Sequence, residues 1–121
     1  MSRLSEDMRE RTMEFASAIA RLRMSLPATR REVEALGDQL LRAGTSVAAH
    51  VRDASRSKSD AEMCSRLEGA IQQADESVLC LEILQEVCAI SEHSLAHLRQ
   101  EADEIIAVFA STLSRIEGHT L

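Results

Sequence analysis

The pattern that most constrains this chain is a set of apolar residues recurring at steps of three and four, in four stretches parted by three short breaks. In the first stretch Met8, Phe15, Ile19, Leu22 and Leu26 share one helical face, and Thr12 fills the gap in that stripe. Pro27 then ends the helix, because it lacks a backbone donor and clashes with the preceding turn. The second stretch carries Val33, Leu36, Leu40, Ala43, Val47, Val51 and Ala54, with Gly37 and Gly44 seven apart inside it. Each glycine costs about 1 kcal/mol relative to Ala in a helix, so close approach by another helix accounts for them.

Helix boundaries follow from local chemistry. Thr29 to Glu32 reads as a capping box opening the second helix, and Ser59 to Glu62 as another opening the third. The run Ser55-Arg56-Ser57-Lys58-Ser59 is the break between them. The third stripe is Cys64, Leu67, Ile71, Ala74, Val78, Leu81 and Cys88, interrupted by Gln85, and it should end near Ile90. The fourth is Leu95, Leu98, Ala102, Ile105, Phe109, Leu113 and Ile116, with Gly118 where a C-terminal cap belongs. The expected helices are therefore about 6–25, 30–54, 60–90 and 92–117. Joints of a few residues make consecutive helices antiparallel neighbours. The expected fold is all-α, one antiparallel up-down-up-down four-helix bundle spanning residues 1–121.

Composition agrees. The chain has two aromatics, Phe15 and Phe109, one proline and four glycines, which disfavours strands. No apolar run approaches the roughly 20 residues a membrane span needs, and the charged N-terminus does not read as a secretory signal. The three cysteines, Cys64, Cys80 and Cys88, have no metal-binding spacing and read as small buried hydrophobes of a reducing compartment. A cytoplasmic location is expected. The net charge is −6, unevenly spread. Residues 1–60 hold eleven Lys/Arg against nine Asp/Glu, and residues 61–121 hold three against eleven. Such a split is ordinary for a solvated surface, and it also suits one half docking on a neighbour's other half.

Motifs for chemistry are sparse. No Glu-x-x-His pair of the di-iron type occurs, since Val47 precedes His50 by three and Ser94 precedes His97 by three. His93 and His97 stand at i and i+4 with Glu101 one turn on, a spacing that could hold zinc, but the segment lacks the glutamate of the HExxH motif and reads as two exposed histidines of a first turn, with no metal expected. There is no glycine-rich phosphate loop and no nucleophile elbow. The chain is expected to be non-catalytic and to carry no cofactor. One feature stands out on the second helix, where Gln39, Arg42, Ser46, His50 and Asp53 form a polar stripe beside the apolar one. Arg66, Gln73, Ser77 and Cys80 form a similar flank on the third. These are either ordinary polar shoulders or partly buried, hydrogen-bonded groups, within the bundle or across a subunit contact.

Residues 39–54, QLLRAGTSVAAHVRDA, resemble the signature of the four-helix bundle proteins named after 23S rRNA intervening sequences, approximately Q-L-x-R-A-x-x-S-I-x-x-N-I-x-E-G. Ala74 to Val78 resembles the family's second segment, A-x-G-S-L, and the similarity spans nearly the whole chain. Gln39, Arg42 and Ser46 carry over directly. This chain departs from the family at His50 (Asn there), Asp53 (Glu), Ala54 (Gly), Glu76 (Gly) and Cys80 (usually Glu). The resemblance implies a bundle that assembles as a ring-like homopentamer, with no established enzymatic role. A related branch, the accessory proteins of diversity-generating retroelements, resembles a basic pentamer that binds nucleic acid. This chain is acidic, with one lysine and no aromatic stacking platform, which disfavours that extension.

The expected function is therefore a homo-oligomeric interaction or scaffold protein, with self as the partner. The alternative is an accessory RNA- or DNA-binding factor. It would act through Arg30, Arg31, Arg42, Arg52 and Arg56 gathered around an opening of the oligomer.

Overall fold

The computed structural model describes residues 2–120, and the side chains of residues 6–118. Four helices follow one another: α1 Ser2–Ser25, α2 Arg31–Ser55, α3 Asp60–Glu86 and α4 Glu92–Thr120. They form the expected up-down-up-down bundle, and there is no strand among the described residues. The closest seams run between consecutive helices, α2 with α3 above all, while α4 closes back on α1 along the thinnest one. The diagonal pairs, α1 with α3 and α2 with α4, bring no Cα atoms of the described residues within 8 Å of one another and share only the side chains of the common core.

The four stripes fill the centre. Phe15, Ile19, Leu40, Leu81, Leu84, Leu95, Ile105 and Phe109 are sealed from solvent, each contributing about 1.5–3 kcal/mol of transfer free energy. Thr12 is buried among them without penalty, because its Oγ1 donates to the Met8 carbonyl at 2.7 Å. Gly37 and Gly44 serve the close approach expected of them, and the helix they admit is α1. A Cβ on Gly44 would lie 2.5 Å from Ile19 Cδ1, and one on Gly37 would lie 2.6 Å from Arg23 Cδ and 3.1 Å from Leu26 Cδ1.

Several local readings are corrected. Thr29 does not cap α2. The helix starts one residue later, so the extended Arg30 takes the cap position with no side-chain cap bond. Arg30 instead spends its guanidinium on Glu32 Oε1 at 3.1 Å and on the Cys88 carbonyl at 2.7 Å, tying the start of α2 to the end of α3. The Ser59 cap is present, its Oγ accepting from the Glu62 N–H at 3.1 Å. The return bond reaches one residue further back, from the Lys58 N–H to Glu62 Oε2 at 3.4 Å.

α3 ends at Glu86, short of Ile90. Ala89 adopts a left-handed conformation with φ 58°, while the Cys88 N–H bonds Ile83 O and the Ile90 N–H bonds Leu84 O. That closure normally uses glycine; an alanine there gives no sequence signal. Gly118 is not a cap either, since α4 continues through it to Thr120. The buried arc of α3 is also rotated from its expected stripe. Met63 is buried and Cys64 only half-buried; Ala70, Ser77 and Cys80 are buried, while Ile71 and Val78 are half-buried. The flank carrying Ser77 and Cys80 faces inward because α3 packs closely against both α2 and α4.

Candidate interaction surface

The polar stripe of α2 divides into two parts. Its C-terminal part lies in the α2–α3 seam. The His50 ring rests against Gly69, where a Cβ would sit 2.7 Å from Cε1 and 3.0 Å from both ring nitrogens. Nδ1 of His50 is buried with no hydrogen-bond partner, a position that costs about 1–3 kcal/mol. One turn on, Asp53 faces Arg66 Nη1 at 3.9 Å. Ser46 and Gln73 are half-buried, and Ser77 Oγ, fully buried, donates to the Gln73 carbonyl at 2.9 Å. The N-terminal part differs: Gln39 and Arg42 are exposed, and Arg42 makes no ion pair among the described residues.

The arginines are not brought together within one chain. Arg30 is committed to Glu32 and Cys88, and Arg31 is exposed beside it at the start of α2. Arg52 and Arg56 lie at the other end, about 30 Å away by helical rise. There they line a groove of about 500 Å³ between α1 and α2, with Met13, Ser17, Ala20 and Ala49. A second groove, between α1 and α4, holds about 590 Å³ and is lined by Met13, Glu14, Ser17, Arg21 and His97, among others.

Reactive chemistry is not assembled at either groove. Glu101 accepts Arg11 Nε at 2.6 Å, so it serves the α1–α4 seam, and His93 and His97 are exposed. No group of three or more His, Cys, Asp or Glu able to hold a metal ion occurs among the described residues. Burial raises the thiol pKa of Cys80, with help from Glu76, and burial followed by the nearby carboxylates raises that of Cys64. Both thiols are held in the protonated, unreactive form. No helix of the structure is long and apolar enough to cross a membrane.

What sequence reasoning missed is apolar and outward. Met13 (51% exposed), Met24 (84%), Leu79 (52%) and Val87 (74%) leave large hydrophobic side chains in solvent. The signal was present: Met13, Ser17, Ala20 and Met24 step by four, three and four, a second low-polarity stripe on α1. Gly69, which makes room for His50, was also passed over, since a lone glycine does not reveal which side chain fills its space.

Similarity to known proteins covers nearly the same span as the bundle. The model of the family described as 23S rRNA-intervening sequence protein matches residues 6–111. No curated protein matches the chain. A crystal structure from Bacteroides thetaiotaomicron, described as a protein of unknown function from the S23 ribosomal protein family, superposes with a TM-score of 0.83 at 25% identity. The alignment covers 91% of this chain and 97% of that one.

Proposed function

The chain belongs to the family of 23S rRNA-intervening sequence proteins, and from that premise we propose that it is a non-catalytic, self-assembling interaction or scaffold protein, a homopentamer. The observation that carries this reading is the outward placement of Met13, Met24, Leu79 and Val87 on an otherwise well-sealed bundle. Contiguous exposed apolar surface marks a contact, and on α1 Met13 and Met24 share one outward stripe with Ser17 and Ala20. Two grooves flank the α1 residues Met13 and Met24, while Leu79 and Val87 stand on α3, and Gln39 and Arg42 are exposed on α2. The pentameric count rests on the family resemblance of residues 39–54. Multi-angle light scattering at micromolar concentration tests it: five chains are expected, and a particle at the 13.4 kDa of one chain refutes self-assembly.

A second reading, nucleic-acid binding, is favoured by one observation. Arg52 and Arg56 share a groove and make no ion pair among the described residues. A ring of copies would bring several such pairs together. It predicts RNA or DNA binding that weakens steeply with salt, and no binding at low salt removes it.

A further inference from the structure

Among the described residues, the large apolar side chains that α1 leaves in solvent are both thioethers. Met13 and Met24 are exposed, whereas Met8 and Met63 are sealed in the core. Eleven residues separate the exposed pair, which puts them about 20° apart around the helix and about 17 Å apart along it. Between them on the same line stand Ser17 and Ala20, half-buried and too short to rise above the methionines. Met13 lines the α1–α2 groove and the α1–α4 groove alike, so its side chain is the ridge between them.

Leucine would serve an apolar contact equally well, but a thioether serves it only until it is oxidised. The sulfoxide is strongly polar, and covering it without a hydrogen-bond donor is unfavourable. The other sulfurs of the described chain are poorly placed to react first. Cys80 and Cys88 are buried and Cys64 is half-buried. Burial keeps the Cys80 and Cys64 thiols protonated, the form that is slow to react with peroxides.

Resting on the self-assembly reading above, we propose that Met13 and Met24 are an oxidation switch on the contact face of α1. Hydrogen peroxide converts both to sulfoxides in the free chain, and the polar products keep that chain out of the assembly. In each step the sulfur lone pair attacks one peroxide oxygen, and an S–O bond forms as the O–O bond breaks. The departing oxygen leaves with both peroxide protons as water, so sulfur is oxidised by two electrons and the peroxide reduced by two. Assembly covers the two side chains, so the reaction falls on dissociated chains and draws the equilibrium toward them. Enzymatic reduction of the sulfoxides restores the thioethers, and the switch runs both ways.

Full-length wild type treated with hydrogen peroxide tests it, with peptide mass spectrometry reading the sites and light scattering reading the assembly. Met13 and Met24 should gain oxygen before Met8 and Met63, with unchanged helical circular dichroism. The oligomer should give way to single chains at the same micromolar concentration. Methionine sulfoxide reductases of both stereospecificities with dithiothreitol should return the oligomer; dithiothreitol alone, which reverses only cysteine oxidation, should not. The variant Met13→Leu with Met24→Leu keeps the apolar ridge, and should assemble like wild type and hold its mass in the same peroxide. Unchanged wild-type mass once both sulfoxides are complete, equal loss of assembly in the leucine variant, or recovery with dithiothreitol alone overturns the switch while leaving self-assembly standing. A wild type that is monomeric before peroxide is added overturns both.

Discussion

The His50–Gly69 contact sets up a double-mutant cycle that measures how much the imidazole resists an added methyl. In an unencumbered helix Gly→Ala is stabilising by about 1 kcal/mol. At Gly69 the added methyl would meet His50 at 2.7 Å from Cε1 and 3.0 Å from both ring nitrogens, against the ~3.5–4.0 Å of relaxed carbon contacts. The ring has to move by about an ångström, and overpacking of that kind costs roughly 1–3 kcal/mol. Gly69→Ala should therefore lower stability by about 1 kcal/mol in net. In a His50→Ala background the obstacle is gone, and the same substitution should raise stability by about 1 kcal/mol.

The coupling between the two positions is then about 2 kcal/mol. His50→Ala alone should cost under about 1 kcal/mol, because lost packing is offset by removal of an unpartnered buried nitrogen. Urea unfolding followed at 222 nm measures all four proteins, at one protomer concentration so that assembly contributes equally. Additivity within about 0.5 kcal/mol would refute the reasoning, because Gly69 would then be acting through helix propensity alone.

Other outcomes follow from the same structure. Ala89→Gly should stabilise the chain by about 0.5–1 kcal/mol, read as a shift in the urea midpoint, because it relieves a left-handed alanine. Ser59→Ala should cost about 1 kcal/mol through loss of its bond to the Glu62 N–H, whereas Thr29→Ala should cost nothing measurable by the same assay, since Thr29 caps no helix. Folding raises the Cys80 thiol pKa, so the unfolded chain releases that proton first as pH rises. The associated stabilisation is present below the ordinary thiol range and is lost above it, as the folded thiol ionises. Iodoacetamide at pH 8 should therefore modify Cys80 only after denaturant is added, and rapid labelling of the native chain would contradict the buried, protonated thiol.

The sequence by itself determined the bundle. Steps of three and four, Pro27, and the Ser59 cap each act over one or two turns of chain, so local reading finds them. It also determined that Gly37 and Gly44 admit a neighbouring helix, because a repeated helix-weakening residue on an apolar stripe needs a packing reason. Which helix fills each gap was a tertiary matter, decided when Ile19 and Arg23 of α1 closed on them. The end of α3 was hidden for the opposite reason. Its left-handed residue is an alanine, held by bonds to Ile83 and Leu84 rather than by its own preference.

The candidate surface was legible in its parts only. Gln39, Arg42, Ser46, His50 and Asp53 lie on one face in sequence, yet the α2–α3 seam covers His50, Ser46 is half-buried, and Gln39, Arg42 and Asp53 stay exposed, Asp53 facing Arg66 at 3.9 Å. The uneven charge of the two halves was plain from counting. Which of those charges are already paired, Arg66 with Asp53 and Arg99 with Glu82, was not. Periodicity fixes which residues share a face of one helix; only the packing of four helices fixes which faces remain open, because that depends on side chains distant in sequence meeting in space.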